Sequence, residues 1–186
     1  MQIRDTDIDG VKLIVPLRHR DPRGYFCEVF REDALRSHGI DVPFVQENHS
    51  YSAAAGVLRG LHFQTPPMAQ AKLVRVAAGA ILDVAVDIRH GSPSFGRHVA
   101  VELSAADGHQ LFVPEGFAHG FCTLLPDTEV LYKVNRYYSP EHDRGVLWSD
   151  PALAIGWPAL DGEKLLSDKD RRHPRLAELP AIFRYC

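Results

Sequence analysis

The sequence predicts an all-β fold in which antiparallel strands close into a barrel or jelly roll. Three observations carry this: short segments of alternating polarity recur, turn residues punctuate them, and only one stretch has a convincing helical composition. Val84, Val86 and Ile88 alternate with Asp83, Ala85 and Asp87, and Val99, Val101 and Leu103 alternate with Ala100, Glu102 and Ser104, the pattern of half-buried strands. Further strand candidates run over 11–17, 25–30, 43–51, 57–64, 71–77, 110–113, 118–124 and 129–137, about ten strands in all. Ala78-Gly79, His90-Gly91-Ser92-Pro93, Asp107-Gly108 and Pro126-Asp127 mark breaks between them. Arg31 to His38, ended by Gly39, is the helical stretch. From about residue 150 the tail is Pro-rich and irregular, and it is expected to pack over the barrel rather than form a second domain.

At 186 residues the chain can bury a sizeable core, and no linker divides it, so 1–186 is expected to be one domain. Hydrophobic residues at 45% and charged residues at 24% argue against disorder or a coiled coil. The charged start, Met1-Gln2-Ile3-Arg4-Asp5-Thr6-Asp7, is unlike a secretory peptide, and no run reaches the roughly 18 apolar residues of a membrane span. Cys27, Cys122 and Cys186 are odd in number and lack C-x-x-C spacing, which suits thiols in a reducing compartment and a cytoplasmic location. A net charge of -3 provides no field for nucleic acid, so an anionic ligand would be small and held by a local basic cluster.

Strand pleat decides which polar residues can meet inside a barrel. Lys72 shares a face with Val74 and Val76, Tyr132 with Val130 and Val134, and Gln46 with Asn48, so these faces are expected to point inward. Burying Lys72 without a partner costs several kcal/mol, so a ligand or carboxylate is expected beside it; a paired structural lysine is the plainer alternative. Arg59 and His62 are three apart and fall on opposite faces of a regular strand, so both can serve one pocket only if Gly60 bends it.

Two segments have the spacing of paired metal-binding motifs. Gly56, five residues, His62, one residue, Gln64, then Lys72, six residues and Gly79 resembles the first cupin motif. Gly108, five residues, Pro114-Glu115-Gly116, two residues and His119 resembles the second, with Thr123 where the pattern has Asn. A metal cupin has three histidines and a glutamate at positions that here read His62, Gln64, Lys72 and His119. A lysine ammonium has donors and no lone pair, so it repels a divalent metal and attracts negative charge developing on oxygen. No metal is expected.

A closer resemblance rests on longer runs. Gln46-Glu47-Asn48-His49-Ser50, Gly56 to Gln64, Lys72 to Val76, Asp83 to Arg89, Gln110 to Phe121, Tyr132-Lys133 and Leu166-Ser167-Asp168-Lys169-Asp170 are similar, in order and spacing, to the dTDP-4-dehydrorhamnose 3,5-epimerases. The resemblance spans residues from about 20 to 170. It implies a cupin-type jelly roll working as a homodimer without cofactor or metal on a dTDP-4-keto-6-deoxy sugar, with no nucleic-acid or membrane partner. Inversion next to a ketone needs a base, a holder for the enolate and a proton donor on the far face. The resemblance implies His62 as base, Asp170 as its paired carboxylate, Lys72 and His119 around the keto oxygen, and Tyr132 as donor. Asp83 is a candidate to orient His119, against the parity of its strand.

For the nucleotide half, the resemblance implies Arg59 and Arg23 on phosphate, Gln46 and Asn48 as further contacts, and Tyr138 stacked on thymine. It implies that Arg23, Phe26 and Glu28 cross to the partner subunit's site. Lys169 stands where the family has a basic residue, and Asp143 where it usually has Glu, a shorter reach for that contact. Three classes compete: an epimerase acting at C3 and C5 or a relative inverting one carbon, a metal cupin, and a nucleotide-sugar binding protein. Gln64 and Lys72 oppose the second class. A base and an acid on opposite faces exceed what simple binding needs.

Overall fold

The computed structural model describes residues 1–159 and 164–185, so the thiol of Cys186 lies outside the described residues. The strands are β1 (Gln2–Asp5), β2 (Lys12–Val15), β3 (Arg18–Asp21), β4 (Gly24–Cys27), β5 (Gln46–Ser52), β6 (Leu58–Gln64), β7 (Lys72–Ala78) and β8 (Ala80–Asp87). They continue with β9 (Arg89–His90), β10 (His98–Ser104), β11 (Gln110–Val113), β12 (Phe117–Thr123), β13 (Thr128–Val134), β14 (Asp143–Gly145) and β15 (Phe183–Arg184). The helix α1 (Glu32–Arg36) and two 3-10 turns, Asp170–Arg172 and Leu176–Glu178, are the helical elements among the described residues.

A six-stranded sheet ordered β1-β2-β11-β7-β13-β5 faces a five-stranded sheet ordered β10-β8-β12-β6-β14, which is the jelly-roll arrangement the alternation predicts. The space between the sheets is filled by the inward residues of both, among them Val74, Val76, Leu111 and Val130 from one and Ile81, Ala85, Leu103 and Phe121 from the other. Fully burying each such side chain contributes roughly 1.5–3 kcal/mol.

The tail packs over the barrel, as expected. Val146, Leu153 and Leu176 bury against Leu61, Phe63, Val84, Val86 and Ala118 on the outside of the five-stranded sheet. This covering corrects the half-buried reading of β8: Asp83, Val84, Ala85, Val86 and Asp87 are all buried, because one face lines the core and the other lies under the tail. β10, at the sheet edge, keeps the expected alternation, with Val99 and Leu103 buried and Ala100 and Glu102 exposed.

Other differences are local. The 11–17 candidate narrows to β2, and the 25–30 candidate ends at Cys27, where Val29 instead gives its carbonyl to Gln110 Nε2 at 2.6 Å. β1, β3, β9, β14 and β15 have two to four residues each, too short for a periodic signal. Cys27 and Cys122 are free thiols, and burial pushes that of Cys122 up. Among the described residues no helix is long and apolar enough to cross a membrane.

Candidate active site

β6 carries the first two functional side chains, and its register shows how they reach one pocket. His62 pairs with His119 of β12 and Arg59 with Phe121, so three steps on β6 match two on β12. This is a bulge, and it restores Arg59 and His62 to one face. Gly60 makes it possible: its φ is +126°, and a Cβ there would lie 2.5 Å from Gly120 Cα and 2.9 Å from His119 O. The bend expected at Gly60 is present.

His62 Nε2 lies 2.5 Å from Oδ1 of Asp170, which reaches it from the first 3-10 turn. Burial pushes the Asp170 carboxyl up, but His173, His62 and Ser167 outweigh this and hold it well below the ordinary carboxylate range. An anionic Asp170 makes His62 Nε2 the protonated nitrogen and leaves Nδ1 with the lone pair. Burial also lowers the His62 pKa, with Lys72 and Lys169 acting in the same sense and Asp170 against it, so the ring is neutral at pH 7 and able to accept a proton.

Lys72 comes from β7 in the opposite sheet and is buried beside Val74 on the inner face. Its Nζ is 3.4 Å from the His62 carbonyl oxygen. Burial lowers its pKa to about 8, against the attraction of Asp83 and Asp143, the carboxylates its position called for. His119 Nε2 bonds Asp83 Oδ1 at 2.7 Å, so Asp83 does hold that ring. The parity objection fails because the face of β8 that carries Ile81, Asp83 and Ala85 is the inner one, and Val84 and Val86 lie under the tail instead. Asp83 faces Phe121 in register, two residues from His119 on the same inner face.

Tyr132 projects from β13, on the sheet opposite His62. Burial raises its pKa, so the phenol stays protonated. These groups line one cavity of about 440 Å³ with Ser50, Arg59, Phe121, Ser167, Lys169 and Asp170. An adjoining cavity of about 260 Å³ is lined by Gln46, Asn48, Tyr138 and Asp143. The two share His62, Lys72, Tyr132 and Lys169. Around the second, Gln46 Nε2 bonds Asn48 Oδ1 at 2.8 Å, Tyr138 OH donates to Asp143 at 3.0 Å, and Lys169 pairs with Asp143. The shorter Asp143 thus still meets the basic residue.

Gln64 is committed to structure: its Nε2 donates to Met68 O at 2.6 Å and Tyr137 O at 3.2 Å, and its Oε1 accepts from Ser139 N at 2.7 Å. With Lys72 beside it, the cupin metal positions offer two histidines, an amide already used and a cation, a donor set unsuited to a metal.

Arg23, Phe26 and Glu28 are not brought to this cavity within the chain. They lie on and just after the β3–β4 hairpin, where Arg23 pairs with Asp21 at 2.6 Å and Phe26 is 72% exposed. The sequence reading missed Ser50, Phe121, Ser167 and His173. Ser50 continues the Gln46 and Asn48 face and Phe121 the His119 face, so alternation could have found both. His173 is three residues beyond Asp170, the spacing that aligns side chains in a 3-10 turn, but the turn itself had no signal.

Residues 5–178 match the family dTDP-4-dehydrorhamnose 3,5-epimerase. A protein of that name from Sinorhizobium fredii (strain NBRC 101917 / NGR234) is 54% identical over 185 residues, covering 100% of this chain and 94% of the relative. A solved dTDP-4-dehydrorhamnose 3,5-epimerase from Bacillus anthracis str. Ames, with TDP and PPi bound, is 50% identical, with a TM-score of 0.90 over 94% of this chain and 98% of that one. The dTDP-6-deoxy-D-glucose-3,5-epimerase of Legionella pneumophila Philadelphia 1, solved with dTDP-4-keto-L-rhamnose, is 44% identical, with a TM-score of 0.94 over 100% of this chain and 98% of that one. The length of the match and the barrel it shares lead to one conclusion: the chain belongs to the dTDP-4-dehydrorhamnose 3,5-epimerase family.

Proposed function

We propose that this chain epimerises C3 and C5 of dTDP-4-dehydro-6-deoxy-D-glucose to give dTDP-4-dehydro-L-rhamnose, the precursor of dTDP-L-rhamnose. The observation that carries the chemistry is the meeting of His62 and Tyr132 in one cavity from opposite sheets, with Lys72 and His119 beside them. In this reading His62 Nδ1 takes the α-proton, leaving an enolate and an imidazolium steadied by Asp170. Lys72 donates to the former keto oxygen, where a preorganised donor is worth roughly 3 kcal/mol in the transition state, and His119, whose Nε2–H is held by Asp83, stands beside that oxygen. Tyr132 gives its phenolic proton to the opposite face of the carbon. His62 then releases its proton to water and Tyr132 regains one, and a second round inverts the other carbon.

Arg59, Ser50, Gln46, Asn48, Tyr138, Asp143 and Lys169 are proposed to hold the nucleotide and sugar. Arg59 suits phosphate by bidentate bonding, and the buried Ser50 Oγ has no hydrogen-bond partner among the described residues. The exposed Arg23, Phe26 and Glu28 are proposed to complete the partner's site in a homodimer in the cytoplasm. The burial of the tail on the sheet supports treating 1–186 as one domain.

Turnover of the 4-keto substrate in deuterated water tests the assignment. Deuterium at both C3 and C5 is expected; label at one carbon alone makes the chain a single-site epimerase, and unlabelled substrate rejects the chemistry. His62→Ala should abolish exchange and leave nucleotide affinity nearly intact.

A further inference from the structure

We propose that His173 is a positioning residue of this site: it is a second imidazole donor to the Asp170 oxygen that receives His62, and it thereby sets the tautomer and orientation of the base. The inference rests on the reading of His62 as base and adds a residue that reading does not use.

Three observations place His173 there. Its Nε2 lies 3.5 Å from Asp170 Oδ1, the oxygen 2.5 Å from His62 Nε2, so two imidazoles converge on one carboxylate oxygen. The His173 side chain is only 9% exposed, and its Nε2 is a buried atom with no hydrogen-bond partner among the described residues, which leaves Asp170 Oδ1, 3.5 Å away, as an acceptor within its reach. The two rings stand edge to face, 5.6 Å apart at 75°.

A fourth observation explains how a tail residue gains this position. Gly145 of β14 pairs in register with His62, so a side chain there would share its face. A Cβ on Gly145 would lie 2.6 Å from both Cδ2 and Cε1 of His173 and would displace the ring. The side chain missing from β14 is thus replaced by an imidazole from the tail. Gly145 is needed for space and not for conformation.

The consequence follows from hydrogen bonding. An Nε2–H on His173 stabilises the Asp170 anion, keeping it an acceptor for His62 Nε2–H, yet withdraws some of the charge that holds a proton on His62. The titratable groups around the pair are Lys72 of β7, Lys169 held by Asp143 of β14, and His119 of β12 held by Asp83 of β8. Tyr132 of β13 is neutral, and Arg144, Arg171 and Arg172 are exposed. Substitution at 173 leaves all of these in place.

His173→Phe keeps the ring volume against Gly145 and removes the donor, whereas His173→Gln keeps an amide donor near the Nε2 position. In the pH profile of kcat/KM, the acidic limb of the Phe variant is expected to move up by on the order of half a pH unit or more, because Asp170 then holds the His62 proton more strongly. The Gln variant should return the limb toward the wild-type position. A packing role alone would lower kcat in both variants without moving the limb, so a limb that stays put or moves down in the Phe variant overturns the proposal. Nitrogen-15 NMR of the histidine-labelled wild-type protein tests it without any variant: at neutral pH His173 Nε2 should carry a proton, and an unprotonated Nε2 overturns the proposal. Wild-type protein that exchanges neither C3 nor C5 refutes the functional reading instead, leaving the NMR tautomer to decide this inference separately.

Discussion

Lys72→Met separates the stability of this barrel from its chemistry. Burial lowers the Lys72 pKa from the ordinary 10.5 to about 8, while the unfolded chain regains the ordinary value. Folding at pH 7 therefore forces an ammonium into a site that disfavours it, at a cost of about 3 kcal/mol from about 1.4 kcal/mol per pH unit. The cost is fully present below pH 8 and fades as pH rises from there toward 10.5, where the lysine is neutral whether folded or unfolded. Methionine has a similar length and no charge; it gives up the 3.4 Å bond to the His62 carbonyl and the attraction of Asp83 and Asp143, which the lowered pKa of Lys72 already includes. The variant should be more stable by up to about 3 kcal/mol at pH 7, a rise in Tm of roughly 6–12 °C for a chain of this size. The gain should shrink to a small fraction at pH 10. Urea and thermal unfolding at both pH values and equal protein concentration measure it, the last condition because assembly shifts apparent stability. Solvent exchange into substrate should fall about 10²–10³-fold, the cost of one oxyanion donor. A variant no more stable than wild type at pH 7, or with the same gain at pH 10, would refute the reasoning.

Asp170→Asn should lower exchange on the order of 10³–10⁴-fold, because an amide no longer enforces Nε2–H on His62; single-turnover exchange rates measure it. Since Asp170 titrates well below its unfolded value, its stabilisation is present above about pH 4 and lost as pH falls through the folded value, so the Asn variant should show a flatter acid-unfolding curve. Gly60→Ala places a Cβ against Gly120 and the His119 carbonyl at a φ of +126°, and should cost about 2–4 kcal/mol by urea unfolding. Wild-type stability in that variant would mean that the bulge tolerates a side chain. Mixed dimers of inactive His62→Ala and Arg23→Ala protomers should recover part of the wild-type activity, because one of the two sites then has an intact His62 and a partner's Arg23. Mixtures with no recovery would argue against a shared site.

The alternation of apolar and polar residues was enough to predict an antiparallel barrel, because one face of each long strand must meet the core. It also placed Lys72, Tyr132, Gln46 and Asn48 on inward faces, since parity is a local property of the backbone. Replacing a metal-binding carboxylate by Lys72 pointed to an anion-stabilising site before any coordinates. Features set by distant segments were not legible. β8 reads as half-buried, and only the tail lying across Val84 and Val86 buries its second face, while the register of β8 with β12 brings Asp83 to His119 on the inner one. Gly60 signalled a bend, but the register with β12 decided that it would realign Arg59 with His62. Asp170 was recognised by resemblance, whereas His173 was missed, because its position depends on the space above Gly145, a residue 28 positions earlier in the chain. Periodicity follows from each strand's own pleat, but contacts between the tail and the sheet depend on packing across the whole chain, which no local window contains.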